Sequence, residues 1–422
     1  MRISNEQQFL MRLGLFFLLI YTPIHMVLQD AMNFIFEMPI PVFMNFFLSL
    51  LNAIVVFCAI FAAMKNIYFS ILLSIFILTE FFISALFSKE NAEFIPRYIN
   101  GIIVNILSAS ILVGGVNINE KLLKTIWKIG VVFTACCLFE MFICVLKIKD
   151  IWYDMTFGNC AAFASIILWG EGLYKRKRRY FLLSITFILG IVAFGSRGGL
   201  GCVGVFVISS SICFFIQNYR RANYVEKVKA RHNLSLFFSI ILALVLLIMI
   251  ILAYLRGMEV NTGIRTVDKL ISGEIFSSSG RVEWFYTPII ERLKETWLFG
   301  NGLFSDRLLI DQNYVMLRGA SESLPEARYT HNIILEILFE FGALRGGAIL
   351  FGFIGIVGFA WKKIKCSFQN QLIFLMFFSM SILLMYSSSY LQYAYFWILI
   401  GYCIQIDLKG VKNNERNLVT EN

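Results

Sequence analysis

The stretch 194-FGSRGGLGCVG-204 decides how this chain is read. It lies between two apolar runs, 180–195 and 198–217, and puts an arginine among glycines where they meet. If the chain crosses a membrane, turns and crosses back, residues 180–217 leave about 19 residues per leg, close to the ~20 that a crossing needs. The turn is therefore tight. It is Gly195–Gly199, and Arg197 opens the returning helix. A helix N-terminus carries free N–H groups and partial positive charge, so it attracts anions. An arginine placed there costs free energy unless an anion offsets it. The glycines allow close approach of a ligand or a backbone, and Gly198, Gly201 and Gly204 form a small face for another helix. The competing reading is an arginine snorkelling to lipid headgroups.

Composition widens this local reading to the whole chain. Of 422 residues, 59% are hydrophobic and 15% are charged, where a soluble protein carries roughly a quarter charged. Twelve runs read as spans: 13–30, 40–64, 67–87, 98–115, 126–146, 155–172, 180–195, 198–217, 235–255, 343–361, 370–386 and 390–407. The expected fold class is all-α, a polytopic bundle of about 12 transmembrane helices. The first run follows Arg2 and Arg12 and has no small-residue cleavage site, so it is expected to be retained. The nine cysteines form no CxxC pair and sit mostly in apolar runs, which favours packing over disulfides or metal.

The net charge of +10 is explained by its distribution. Alternate connections hold the basic residues: Lys65; Lys121, Lys124 and Lys128; 175-KRKRR-179; Arg220, Arg221 and Lys227; Lys362, Lys363 and Lys365. The connections between them hold Asp30, Glu37, Glu90, Glu93, Asp150 and Asp154. This is the positive-inside pattern. It places both termini in the cytoplasm and removes the need for nucleic acid as a partner. The expected location is a bacterial inner membrane.

One connection breaks the pattern. Residues 257–330 form a long, polar outer loop, so the chain divides into transmembrane helices 1–9 (1–256), a large periplasmic loop with its return helix (257–342), and helices 10–12 with the C-terminus (343–422). A structureless loop of that length would be unusual. In 281-RVEWFYTPIIERLKETW-297, Val282, Phe285, Ile289, Leu293 and Trp297 recur at helical spacing, which predicts an amphipathic helix that Pro288 kinks or splits.

Several residues in and around this loop are chemical candidates. Arg281 follows three serines in 277-SSSGR-281, another helix start with an arginine in its first turn; a solvated surface arginine is the alternative. Arg292, eleven residues on, falls on roughly the same helical face. His331 opens the return segment 330-THNIILEILFEFGALRGG-347, where a neutral imidazole could act as a general base or be a plain structural residue. His25 reads as structural and His232 as unremarkable. Glu80 and Glu140, inside apolar runs, either relay protons or are hydrogen-bonded within the bundle. No paired-carboxylate spacing, P-loop or zinc-protease motif is present.

Together, Ser196-Arg197-Gly198, 280-GRVEWFYTPIIERLKETWLFGNGLF-304 and 331-HNIILEILFEFGALRGG-347 resemble the signature of the O-antigen polymerase and O-antigen ligase superfamily. The glycine pair is Gly300-Asn301-Gly302, the glutamate is Glu336 or Glu340, and the closing glycine is Gly342. The resemblance covers about residues 180–360. It implies a glycosyltransferase with no metal and no cofactor, acting on undecaprenyl-diphosphate-linked oligosaccharides at the periplasmic face. By the same resemblance, Arg197 and Arg281 hold the diphosphate and His331 takes the acceptor's proton. Arg292, Asn332 and Arg345 join them as substrate-binding candidates. Arg345 departs from the family's apolar pattern, and it either contacts the lipid diphosphate or sits at the interface.

Polymerase is the expectation, because no feature of the chain is tied to binding of lipid A core. The alternatives are ligase, with lipid A core as acceptor, and a lipid-linked oligosaccharide flippase or transporter. The last predicts repeat halves and short outer loops, and neither is present in the sequence. Partners implied by the family are membrane lipid, a chain-length regulator and a flippase.

Overall fold

The structure, a computed structural model, describes residues 5–36, 42–64, 67–87, 89–116, 120–149, 154–221, 268, 271–272, 282–318 and 329–406. Among these residues every regular element is a helix. Helices lie at eleven of the twelve predicted runs; the run 235–255 lies outside the described residues. Among the described residues, seven helices are long and apolar enough to cross a membrane: Asn5–Ile35, Met44–Ala63, Ile95–Gly114, Glu120–Val145, Arg197–Arg220, Ile333–Ile364 and Phe368–Met385. The apolar runs of the sequence predict about twelve. Arg178–Ala193, with 16 residues, and Ala394–Ile406 fall short of the ~20 residues of a full crossing.

The helix Met155–Lys175 is less apolar for a different reason. It is the inner post of the bundle and faces other helices. Asp154 caps its start by accepting from Phe157 N at 2.9 Å. Ala161, Ala162, Ala164 and Ser165 are fully buried, and such small residues let neighbouring backbones approach closely. Ser165 Oγ lies 2.7 Å from Ser184 Oγ on Arg178–Ala193, so hydroxyls join the two helices.

The chain turns back as the sequence predicts. Arg178–Ala193 ends, Gly195 takes φ +74°, and the next helix begins at Arg197. The small face is narrower than expected. A Cβ on Gly198 would meet Leu383 at 2.7 Å and one on Gly201 would meet Tyr386 at 2.7 Å, but Gly204 faces open space.

The predicted amphipathic helix is split at Pro288. Val282–Tyr286 is a π turn, and Thr287–Thr296 is α-helical with the proline in its first turn, where its missing N–H has no partner to lose. Ile289 is fully buried, while Val282 and Trp297 are exposed. A second helix, Ser305–Arg318, follows. The return helix Ile333–Ile364 is broken at Gly342, with φ +73° and ψ 176°.

Outside the site, Lys149 is buried and pairs with three carboxylates: Asp30, Glu140 at 3.2 Å and Asp154 at 3.2 Å. Burial opposes its charge, but the carboxylates outweigh burial and hold its pKa above the ordinary lysine range. Glu140 is thus ion-paired inside the bundle, one of its two sequence readings. No cysteine is paired.

Candidate active site

The site is assembled around one short segment, 383–389. On one side it carries the Arg197 turn. Tyr386 donates its hydroxyl to Gly198 O at 3.2 Å, and Leu383 packs where a Gly198 side chain would be. The turn also presses on the inner post, since a Cβ on Gly199 would lie 2.7 Å from Gly158 O. On its other side, 383–389 carries the His331 segment. Tyr329 donates to Ser387 O at 3.0 Å, and Asn332 Nδ2 donates to Met385 O at 3.3 Å. Arg197 and His331, far apart in sequence, are therefore fastened to the same short stretch of chain.

His331 sits at φ +55°, in the left-handed region, which non-glycine residues seldom adopt. Its two neighbours hold it there. Thr330 is fully buried and donates twice to Asp306 Oδ2, from N at 3.1 Å and from Oγ1 at 2.9 Å. Asn332 caps the return helix, accepting from Ile334 N at 3.0 Å and Leu335 N at 3.2 Å. The imidazole is half-buried between two rings, Tyr329 at 4.3 Å and Phe285 at 5.2 Å. Asn332, a substrate-binding candidate by resemblance, already spends both ends of its amide on fastening the loop.

Beneath His331 lies a charged core. Arg307 and the side chains of Asp306, Glu336 and Glu340 are buried. The guanidinium donates to Asp306 at 2.8 Å, Glu336 at 3.2 Å and Ser389 at 2.8 Å, and reaches Glu340 at 3.5 Å. It also lies over the Tyr98 ring at 4.8 Å, which ties it to the first half of the chain. Burial opposes the charge on Arg307, but the three carboxylates outweigh it and push the pKa up further. Tyr390 donates to Glu340, and Ser389 to Glu336. The carboxylates of Asp306, Glu336 and Glu340 converge as metal ligands would; here the guanidinium donates into that cluster. Glu336 and Glu340 were alternatives in the sequence reading, and both serve, because i and i+4 share one helical face.

The glycine motif fastens the loop to the return helix. Asn301 N donates to Phe339 O at 3.0 Å, Gly302 N to Glu340 O at 2.8 Å, Ala343 N to Trp297 O at 2.6 Å and Leu344 N to Leu298 O at 3.2 Å. Gly300 and Gly342 face one another with φ +75° and +73°. A Cβ on Gly300 would lie 2.4 Å from Gly342 N, so the two backbones touch with no room for side chains.

The remaining candidates fall elsewhere. Arg345 donates to Glu80 at 3.2 Å and to Phe299 O at 3.1 Å, which also gives Glu80 its partner. Arg292 is exposed and pairs with Glu295. Arg281 lies outside the described residues, although Phe285, four residues on, packs against His331. Sequence reasoning missed Asp306, Arg307, Ser389 and Tyr390. Their signal was 305-SDR-307 directly after the glycine motif, a charged pair entering an otherwise buried segment, and the polar cluster 386-YSSSY-390 between two apolar runs.

Residues 181–344 match the sequence model of a family described as O-antigen ligase. The match covers less than half of the chain, and it supports the resemblance to the O-antigen polymerase and ligase superfamily. The chain matches no curated protein. It matches no solved structure either.

Proposed function

We propose that this multi-pass membrane protein, whose residues 181–344 carry the O-antigen polymerase and ligase signature, is a surface-polysaccharide polymerase. It joins oligosaccharide repeat units carried on undecaprenyl diphosphate at the periplasmic face of the inner membrane. The observation that carries the reading is the fastening of His331 and the Arg197 turn to one segment, 383–389.

The chemistry needs two functions side by side. A sugar hydroxyl is a weak nucleophile, and His331 removes its proton as the oxygen attacks the anomeric carbon of the donor sugar. The bond from that carbon to the diphosphate oxygen breaks, and the diphosphate leaves with the electron pair. Guanidinium groups stabilise the charge that develops on it. Arg197, at a helix N-terminus, takes this role together with Arg281. The histidinium then returns its proton to water. Holding His331 in a strained backbone well is the kind of pre-organisation that catalytic groups show.

The family description itself favours a second reading, ligase, with lipid A core as acceptor. A deletion strain complemented with wild type, Arg197→Ala, Arg281→Ala or His331→Ala separates the two on a lipopolysaccharide gel, provided expression is equal. Core plus a single repeat in the deletion and in each variant supports polymerase. Bare core with accumulated lipid-linked polymer supports ligase. A full ladder from all three variants removes the catalytic assignment.

A further inference from the structure

A cavity of about 390 Å³ opens beside the candidate site, and its walls come mostly from residues outside the family match. Its polar lining is amide and hydroxyl: Asn52, Asn100, Asn105, Asn159 and Gln392 contribute the amides. No Asp, Glu, Lys, Arg or His lines it among the described residues. Tyr329 belongs both to this wall and to the ring pair around His331. Ser387 belongs to the wall and to the segment that supports the Arg197 turn. The cavity therefore begins where the candidate chemistry is.

Asn159 Oδ1 is buried and accepts no hydrogen bond among the described residues. A buried acceptor left without a donor is costly, and such groups are normally satisfied by the protein, by water or by a ligand.

We infer that this cavity holds an uncharged sugar unit of the glycan next to the reacting centre. The inference rests on the transferase reading above and names the substrate class of that site. Neutral amides offer both donors and acceptors, which suits vicinal hydroxyls, whereas a lipid tail would leave them unpaired. Among the described residues, a uronic acid or a phosphate would find no cation in this wall to offset its desolvation. Because the walls lie outside the matched family segment, they are free to set which sugar the protein accepts.

The test uses the full-length purified protein and the free oligosaccharide repeat released by mild acid from the host's own lipid-linked pool. Wild type should bind it. Asn105→Leu and Asn159→Leu, on two different helices, should each weaken binding roughly tenfold, the scale of one lost hydrogen bond. Gln392→Met, at the exposed rim, serves if either interior variant fails to fold. Inorganic diphosphate should bind all of them like wild type. Equal binding of the oligosaccharide by the folded variants, or none by wild type, overturns the inference. The proposed function fails separately, through an active His331→Ala; a cavity that still binds oligosaccharide with the same asparagine dependence would then survive as a glycan site.

Discussion

Thr330 directs both its backbone N–H and its hydroxyl at a single oxygen, Oδ2 of Asp306, at 3.1 and 2.9 Å. His331 is the next residue, and its left-handed backbone conformation depends on that anchor. The same carboxylate, through Oδ1, faces the Arg307 guanidinium at 2.8 Å. The position of the candidate base is thus set through Thr330 by a buried ion cluster.

Asp306→Ala should therefore act on transfer rather than on substrate capture. Releasing Thr330 lets His331 relax, and misplacement by about 1 Å can cost roughly 10²-fold in rate. Turnover of a lipid-linked repeat by purified protein measures this. A variant that folds and turns over at the wild-type rate would show that the anchor does not position His331.

Arg307→Met should destabilise the fold by about 3–5 kcal/mol, because it leaves buried carboxylates without their cation. Thermal unfolding in detergent reads the change. A loss below about 1 kcal/mol would mean that the cluster is hydrated, and the burial argument would then be wrong.

Gly300→Ala and Gly342→Ala should each abolish stable expression. Left-handed backbone alone costs a non-glycine residue about 1–2 kcal/mol, and here each Cβ would also meet backbone at 2.4 Å. Gly347→Ala, with nothing within 4 Å, is the control and should be neutral or stabilising. Normal levels of the Gly300 variant would contradict the contact between the two backbones.

Arg345 and Glu80 offer a test of role. Arg345→Gln should lower activity by leaving Glu80 buried beside a neutral group, and adding Glu80→Gln should restore it. Rescue identifies a structural pair. Failure of the double variant at unchanged stability would instead put Arg345 on the substrate.

Lys149 gives a pH dependence with a defined sign. Its pKa is raised in the fold, so its stabilisation is complete below the unfolded value of about 10.4 and is lost only as pH rises through the higher folded value. The difference in melting temperature between wild type and Lys149→Met should stay constant from about pH 7 to 9 and shrink above about pH 10. Shrinkage already near neutrality would show that the lysine is not held charged by its three carboxylates.

The helical membrane class, the turn at Gly195 that starts a helix on Arg197, and the motifs around His331, Gly300 and Gly342 are legible in the chain's own residues. These are local: apolar run length and glycines at a tight turn are written in neighbouring residues. The sequence reading left Glu336 and Glu340 as alternatives, and it passed over Asp306, Arg307, Ser389 and Tyr390. Those emerge from the folded chain. A buried charge is legible only from the partners that neutralise it, and the partners of Arg307 come from three separate segments: 306, 336–340 and 389. The same holds for the joining of the Arg197 turn to the His331 segment. It runs through residues 383–389, whose polar cluster is visible in the sequence but whose partners are not; those come from packing.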